Sequence, residues 1–199
     1  MKSESEKSKK VRERKFPVQS LIIEVISIVL GVMLAFMAND WREDQSNKSK
    51  TETALVNLKA EIRTNIELLT SIHANNSATL NIINKSSLAE NDKNTIIPGI
   101  QLQNTAWETI LTTGISNNLD YETVLKISKC YSIQDVYKQT GMLLSESTMN
   151  MTAYAVVSKT EIDNRIFQKQ FLPYFEIFVE VESVLLDAYQ NLFDHLETS

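Results

Sequence analysis

The chain has 199 residues, a net charge of −5, 43% hydrophobic residues, four glycines, three prolines and one cysteine. So few glycines and prolines exclude a sheet-rich chain with many tight turns, and Gly31, Gly99, Gly114 and Gly141 stand too far apart for a phosphate-binding cluster. One cysteine, Cys130, and two histidines, His73 and His195, exclude a disulfide framework and a Cys/His zinc site, and no metal or other cofactor is expected.

Residues 1–17 carry seven Lys/Arg and three Glu, a local charge of +4. Val18 to Ala38 follows with a single charge, Glu24. At about 1.5 Å per residue this run measures roughly 32 Å, enough for a hydrocarbon core of about 30 Å. Trp41 is placed at the far interface, where indole rings lie. A cleaved signal peptide would have a shorter apolar core and a small residue three before the cleavage point; Phe36 stands there if Ala38 is the last residue removed. The spacing therefore predicts a retained transmembrane helix over 18–38. The basic flank predicts a cytoplasmic N-terminus, which puts residues 39–199 outside the membrane. That part carries 13 basic and 21 acidic residues, so nucleic acid is not expected as a partner and the lipid bilayer is.

Ser27, Gly31 and Ala35 are spaced by four and share one helix face, where small residues let two backbones approach. Glu24 lies on the same stripe. A charge in a span is costly and marks function by default. Two readings stand side by side. Glu24 reaches back to the headgroups and pairs with Lys15, Arg14 or another helix, or it is a proton or cation site of a larger ion-coupled complex. Glu24, Ser27, Gly31 and Ala35 are the expected helix-packing residues, and a homo-oligomer or a membrane-protein partner is the expected consequence.

From Thr51 to Leu88 the apolar residues Leu55, Leu58, Ile62, Ile66, Leu69, Ile72, Leu80 and Ile83 recur every three or four positions, which predicts an amphipathic helix. Lys59, Glu61, Arg63 and Glu67 read as its solvated face. His73 reads as a half-buried structural histidine and Asn76 as a register-setting polar residue. A local break is expected at most around 45–50. Residues 90–103, with Pro98-Gly99, read as a loop. Thr105 to Glu108 matches a capping box that opens a short helix over 105–116, with Trp107, Ile110, Leu111, Gly114 and Ile115 inward. Asp120 is expected to cap a helix over 121–157, with Val124, Ile127, Tyr131, Val136, Leu143 and Leu144 inside. Residues 158–164 read as a second loop. The last helix is expected over 165–196, its core stripe Phe167, Phe171, Phe175, Phe178, Leu185, Tyr189, Leu192 and Leu196. Glu176, Glu180, Glu182, Asp187 and Asp194 read as its polar face, Pro173 as a kink or break near Leu172, and Asp194-His195 as a frayed end. The fold class is all-α: a transmembrane helix followed by an extracytoplasmic antiparallel helical bundle.

The anchor EVISIVLGVMLAFMANDW, with Glu24, Gly31, Ala35, Asn39 and Trp41, and the later block TAWETILTTGISNNLDYETVLKISKCY resemble a family of small bacterial single-span membrane proteins. The two blocks cover about a quarter of the chain. The resemblance implies a bacterial inner-membrane anchor and a helical outer part, periplasmic or extracellular. That family has no assigned activity, so it implies no catalytic residues. No G-x-S-x-G, H-E-x-x-H or Glu-x-x-His pattern occurs, so catalysis is not expected. A scaffold, accessory or sensory binding module is the expected function. The ion-coupled subunit built on Glu24 and, further off, an enzyme are the rivals.

Overall fold

The computed structural model describes residues 18–85, 101–158 and 171–198. The basic tail 1–17, most of the first expected loop, most of the second, and the start of the last expected helix with Phe167 lie outside the described residues. Among the described residues every regular element is helical and there is no strand. In chain order these are α1 (Val18–Lys85), α2 (Thr105–Thr112), a 3₁₀ turn (Ile115–Asn118), α3 (Tyr121–Ser158) and α4 (Leu172–Thr198). The all-α expectation holds.

The chain divides at Ser46 into two units. In the first, residues 18–46 are all helical. An eighteen-residue window here reaches a mean hydropathy of 2.6 with none of it buried, so this stretch is long and apolar enough to cross a membrane. Residues 45–50 are helical, without a local break. The hydroxyls of Thr51 and Thr53 are satisfied inside the helix, donating to the carbonyls of Asn47 and Ser49, each at 2.9 Å.

The second unit is a bundle. Its core joins Leu58, Ile62 and Leu69 of α1 to Ile127, Tyr137 and Leu144 of α3 and to Phe175, Phe178, Leu185, Tyr189 and Leu192 of α4. Side-chain pairs set the directions. Lys59 meets Glu197, Asn65 meets Tyr189 and Asn76 meets Glu182, so α1 and α4 are antiparallel. Thr123 meets His195, Gln134 meets Tyr189 and Tyr137 stacks on Phe178, so α3 and α4 are antiparallel as well. Within the bundle, α1 and α3 therefore run in the same direction. α4 begins at Leu172, which puts Pro173 in its first turn, where a missing N–H costs nothing.

Several expected details are corrected. Thr105 does not cap α2. Asn104 occupies that position, its side chain making no cap bond, and its amide binds Glu108 Oε1 at 2.6 Å. The free N–H of Ala106 is taken by Glu61 Oε2 of α1 at 2.8 Å. α2 ends at Thr112, its Leu111 is 49% exposed, and Ser116–Asn118 belong to the 3₁₀ turn. On α3, Val136 and Leu143 are exposed, and the inward stripe is Thr123, Ile127, Cys130, Tyr131, Gln134, Tyr137, Gly141 and Leu144. Polar residues take core positions here because each finds a partner. The cap at Asp120 stands as expected: its Oδ1 accepts from Thr123 N–H at 2.9 Å, and the bonds from Thr123 hold its carboxyl below the ordinary range. The C-terminal turn is packed rather than frayed, with Leu196 buried and His195 bound to Thr123 Oγ1 and Lys126 Nζ, both at 2.9 Å.

Candidate functional site

The residues expected to pack in the membrane lie along one face of α1 in the first unit. Glu24, Ser27, Gly31 and Ala35 are exposed. A Cβ built on Gly31 meets nothing within 4 Å, so the face is open for a neighbouring surface. Ser27 Oγ donates to Ile23 O at 2.8 Å, which satisfies the hydroxyl inside its own helix. Such a serine can sit in hydrocarbon without an unpaired donor. Trp41 is 71% exposed.

The second unit holds two polar clusters, each centred on a glutamate that the sequence reading placed on a solvated face. Glu61 is 6% exposed and Glu182 is fully buried. Both occupy core positions of their helices.

Glu61 stands at the junction of α1, α2 and α3. Tyr131 donates a short hydrogen bond to Glu61 Oε1, while Oε2 receives the Ala106 N–H. Burial first, and then the Glu61 bond, push the Tyr131 phenol up, so it stays a donor. One turn along α1, buried Asn65 clasps the chain at Gln103. Its Nδ2 donates to Gln103 O at 2.8 Å and its Oδ1 accepts from Gln103 N–H at 2.9 Å. Asn65 Nδ2 also reaches the Tyr189 hydroxyl at 3.1 Å, and that hydroxyl donates to Gln134 Oε1 at 2.6 Å. Gln134 Nε2 in turn lies 3.3 Å from the carbonyls of Leu102 and Gln103. Among the described residues no buried side-chain polar atom lacks a partner. This closed cluster fixes the segment entering α2 against three helices. Its groups are consumed by one another, which makes it a structural joint.

Glu182 forms the second cluster, nearer the start of α4. Its Oε1 accepts from Asn76 Nδ2 at 2.9 Å, and its Oε2 lies 3.3 Å from His73 Nδ1. His73 Nε2 is 3.4 Å from Ser77 Oγ. Burial raises the Glu182 carboxyl to about 7, opposed by the Asn76 bond. The histidine is half-buried, as expected from sequence; its carboxylate partner was not foreseen.

Cys130 is 1% exposed, and burial pushes its thiol up to about 12, so it is a small core residue without thiolate character at neutral pH. A groove of about 580 Å³ runs beside α3, lined in part by Gln101, Asn104, Tyr137, Lys138, Gly141 and Met142. Among the described residues no three His, Cys, Asp or Glu side chains come together as a metal-binding group. Set against protein-family models, curated proteins and solved structures, the chain matches none of them.

Proposed function

We propose that this chain is a single-span membrane protein whose helical bundle serves as a scaffold, accessory or sensory binding module, assembled through the Glu24–Ser27–Gly31–Ala35 face. The observation that carries the reading is the exposure of the first unit. Apolar residues from Leu21 to Met37 are 49–66% exposed, whereas the second unit has a buried core of its own. Such a surface needs lipid, and in lipid helices associate by close packing rather than by hydrophobicity. The reading is binding rather than catalysis because the reactive side-chain types are engaged elsewhere: Glu61 and Glu182 in closed polar clusters, Cys130 in the core. The +4 charge of residues 1–17 supports a cytoplasmic N-terminus and a bundle on the other side of the membrane, and a bacterial inner membrane is what the family resemblance implies.

The test is cysteine crosslinking in membranes, from a Cys130→Ser background, at positions 27, 31 and 29. Crosslinks at Ser27→Cys and Gly31→Cys but not at Val29→Cys are expected. Gly31→Ile should abolish the Ser27→Cys crosslink by forcing the backbones apart. Equal crosslinking from all three positions would refute a specific packing face.

A further inference from the structure

We propose that Glu182 is a proton-operated catch between α1 and α4: with its carboxyl protonated the two helices close fully, and its ionisation loosens them at this level.

The geometry comes first. Glu182 is fully buried on the inward face of α4, between Phe178 and Leu185, both also fully buried. It reaches across to α1, where its two oxygens meet Asn76 and His73 at 2.9 and 3.3 Å. The groups facing it can be counted among the described residues. From α1 they are His73, the one titratable group, with neutral Asn76. From α3, Tyr137 packs one turn away, its ring stacked 5.1 Å from that of Phe178. On α4 itself Glu180 and Asp187 are exposed. No Lys or Arg among the described residues is paired with Glu182. A buried carboxylate without a fixed cation is costly, whereas a neutral carboxyl held by two hydrogen bonds is not.

His73 accommodates both states. Against a protonated Glu182, Nδ1 accepts the carboxyl O–H and Nε2–H donates to Ser77 Oγ. Against an ionised Glu182, Nδ1–H donates to the carboxylate and Nε2 accepts from Ser77. The imidazole changes tautomer, and the charge on Glu182 remains in the core. The Glu182 proton can exchange with water through the half-exposed His73.

The direction of the pH effect follows. The carboxyl binds its proton up to about pH 7 when folded, against 4.5 as the ordinary value. Between those limits the folded chain holds a proton that the unfolded chain has released. Stability from this group therefore falls as pH rises through that window and is level above it. This runs opposite to the usual salt-bridged carboxylate, whose stabilising effect is lost in acid.

The experiment uses the full chain in lipid nanodiscs. Its thermal midpoint and its hydrogen exchange, corrected for the intrinsic rate, are measured at about pH 5 and about pH 8. The wild-type midpoint should fall by on the order of 5 °C between these values. Exchange at pH 8 should rise in residues 72–79 and 178–185, and less around Asn65 and Tyr189. Glu182→Gln should remove most of that pH dependence and match or exceed the wild type at pH 8. A Glu182→Gln chain that keeps the wild-type slope would overturn the catch. Should that variant not fold, the carboxyl ¹³C resonance of Glu182 in the wild type decides. Titration near 7 supports the catch, and titration in the ordinary carboxylate range overturns it.

Discussion

Replacing Glu61 by leucine tests the junction of α1, α2 and α3. In the folded chain Glu61 satisfies two buried donors, the Tyr131 hydroxyl and the Ala106 N–H. Leucine is close in volume and leaves the apolar packing in place, so the loss is that of the two acceptors. Each stranded donor costs about 1–3 kcal/mol, giving a total of about 2–6 kcal/mol. Glutamine is the control. Its Oε1 can take the Ala106 N–H while its amide donates to the Tyr131 oxygen, so only the Tyr131 O–H loses its acceptor. The remaining loss is that one stranded donor, about 1–3 kcal/mol, offset in part by the new bond to the Tyr131 oxygen. A second control is Lys59→Ala, which removes an exposed pair with Glu197 at 3.5 Å and should cost about 0–1 kcal/mol. Urea unfolding of the three variants in the same lipid, followed by circular dichroism, gives the differences. The expected order of stability is Glu61→Leu lowest, then Glu61→Gln, then Lys59→Ala. A Glu61→Leu variant within about 1 kcal/mol of Glu61→Gln would refute the argument, because it would mean that the two donors find water when Glu61 is gone.

Two further outcomes are expected. Gly114→Ala should destabilise by about 1 kcal/mol in the same assay, since Gly114 sits at φ +73° and a Cβ there meets only Asn117 Nδ2 at 3.7 Å; the cost is backbone strain and not a clash. A reporter fused after Ser199 that works only outside the cytoplasm should be active, and inactivity of that fusion with activity of a cytoplasmic reporter would reverse the assigned orientation.

The apolar run over 18–38 and the helical class were legible from the residues alone. Hydropathy over a 21-residue window and a three-to-four apolar period are local properties. Four glycines and three prolines leave few places for a helix to stop. Asp120 was legible for the same reason, because a cap acts within one turn. The tertiary structure decided the polar interior. Glu61, Asn65, Thr123, Gln134 and Glu182 are all buried, and a polarity pattern assigns such residues to solvent. Nothing within a turn of Glu182 tells that Asn76 and His73, more than a hundred residues earlier, will face it. The same holds for the cap of α2. Thr105 to Glu108 has the composition of a self-sufficient capping box, yet a carboxylate 45 residues away supplies the acceptor. Val136 and Leu143 show the converse, since apolar side chains stay outside when the inward phase of α3 is set by Tyr131, Gln134 and Tyr137 meeting α1 and α4. Periodicity states that a helix has an inward face; which residues hold it depends on partners that only the folded chain brings within hydrogen-bonding distance, where pairing removes the cost of burying a polar group.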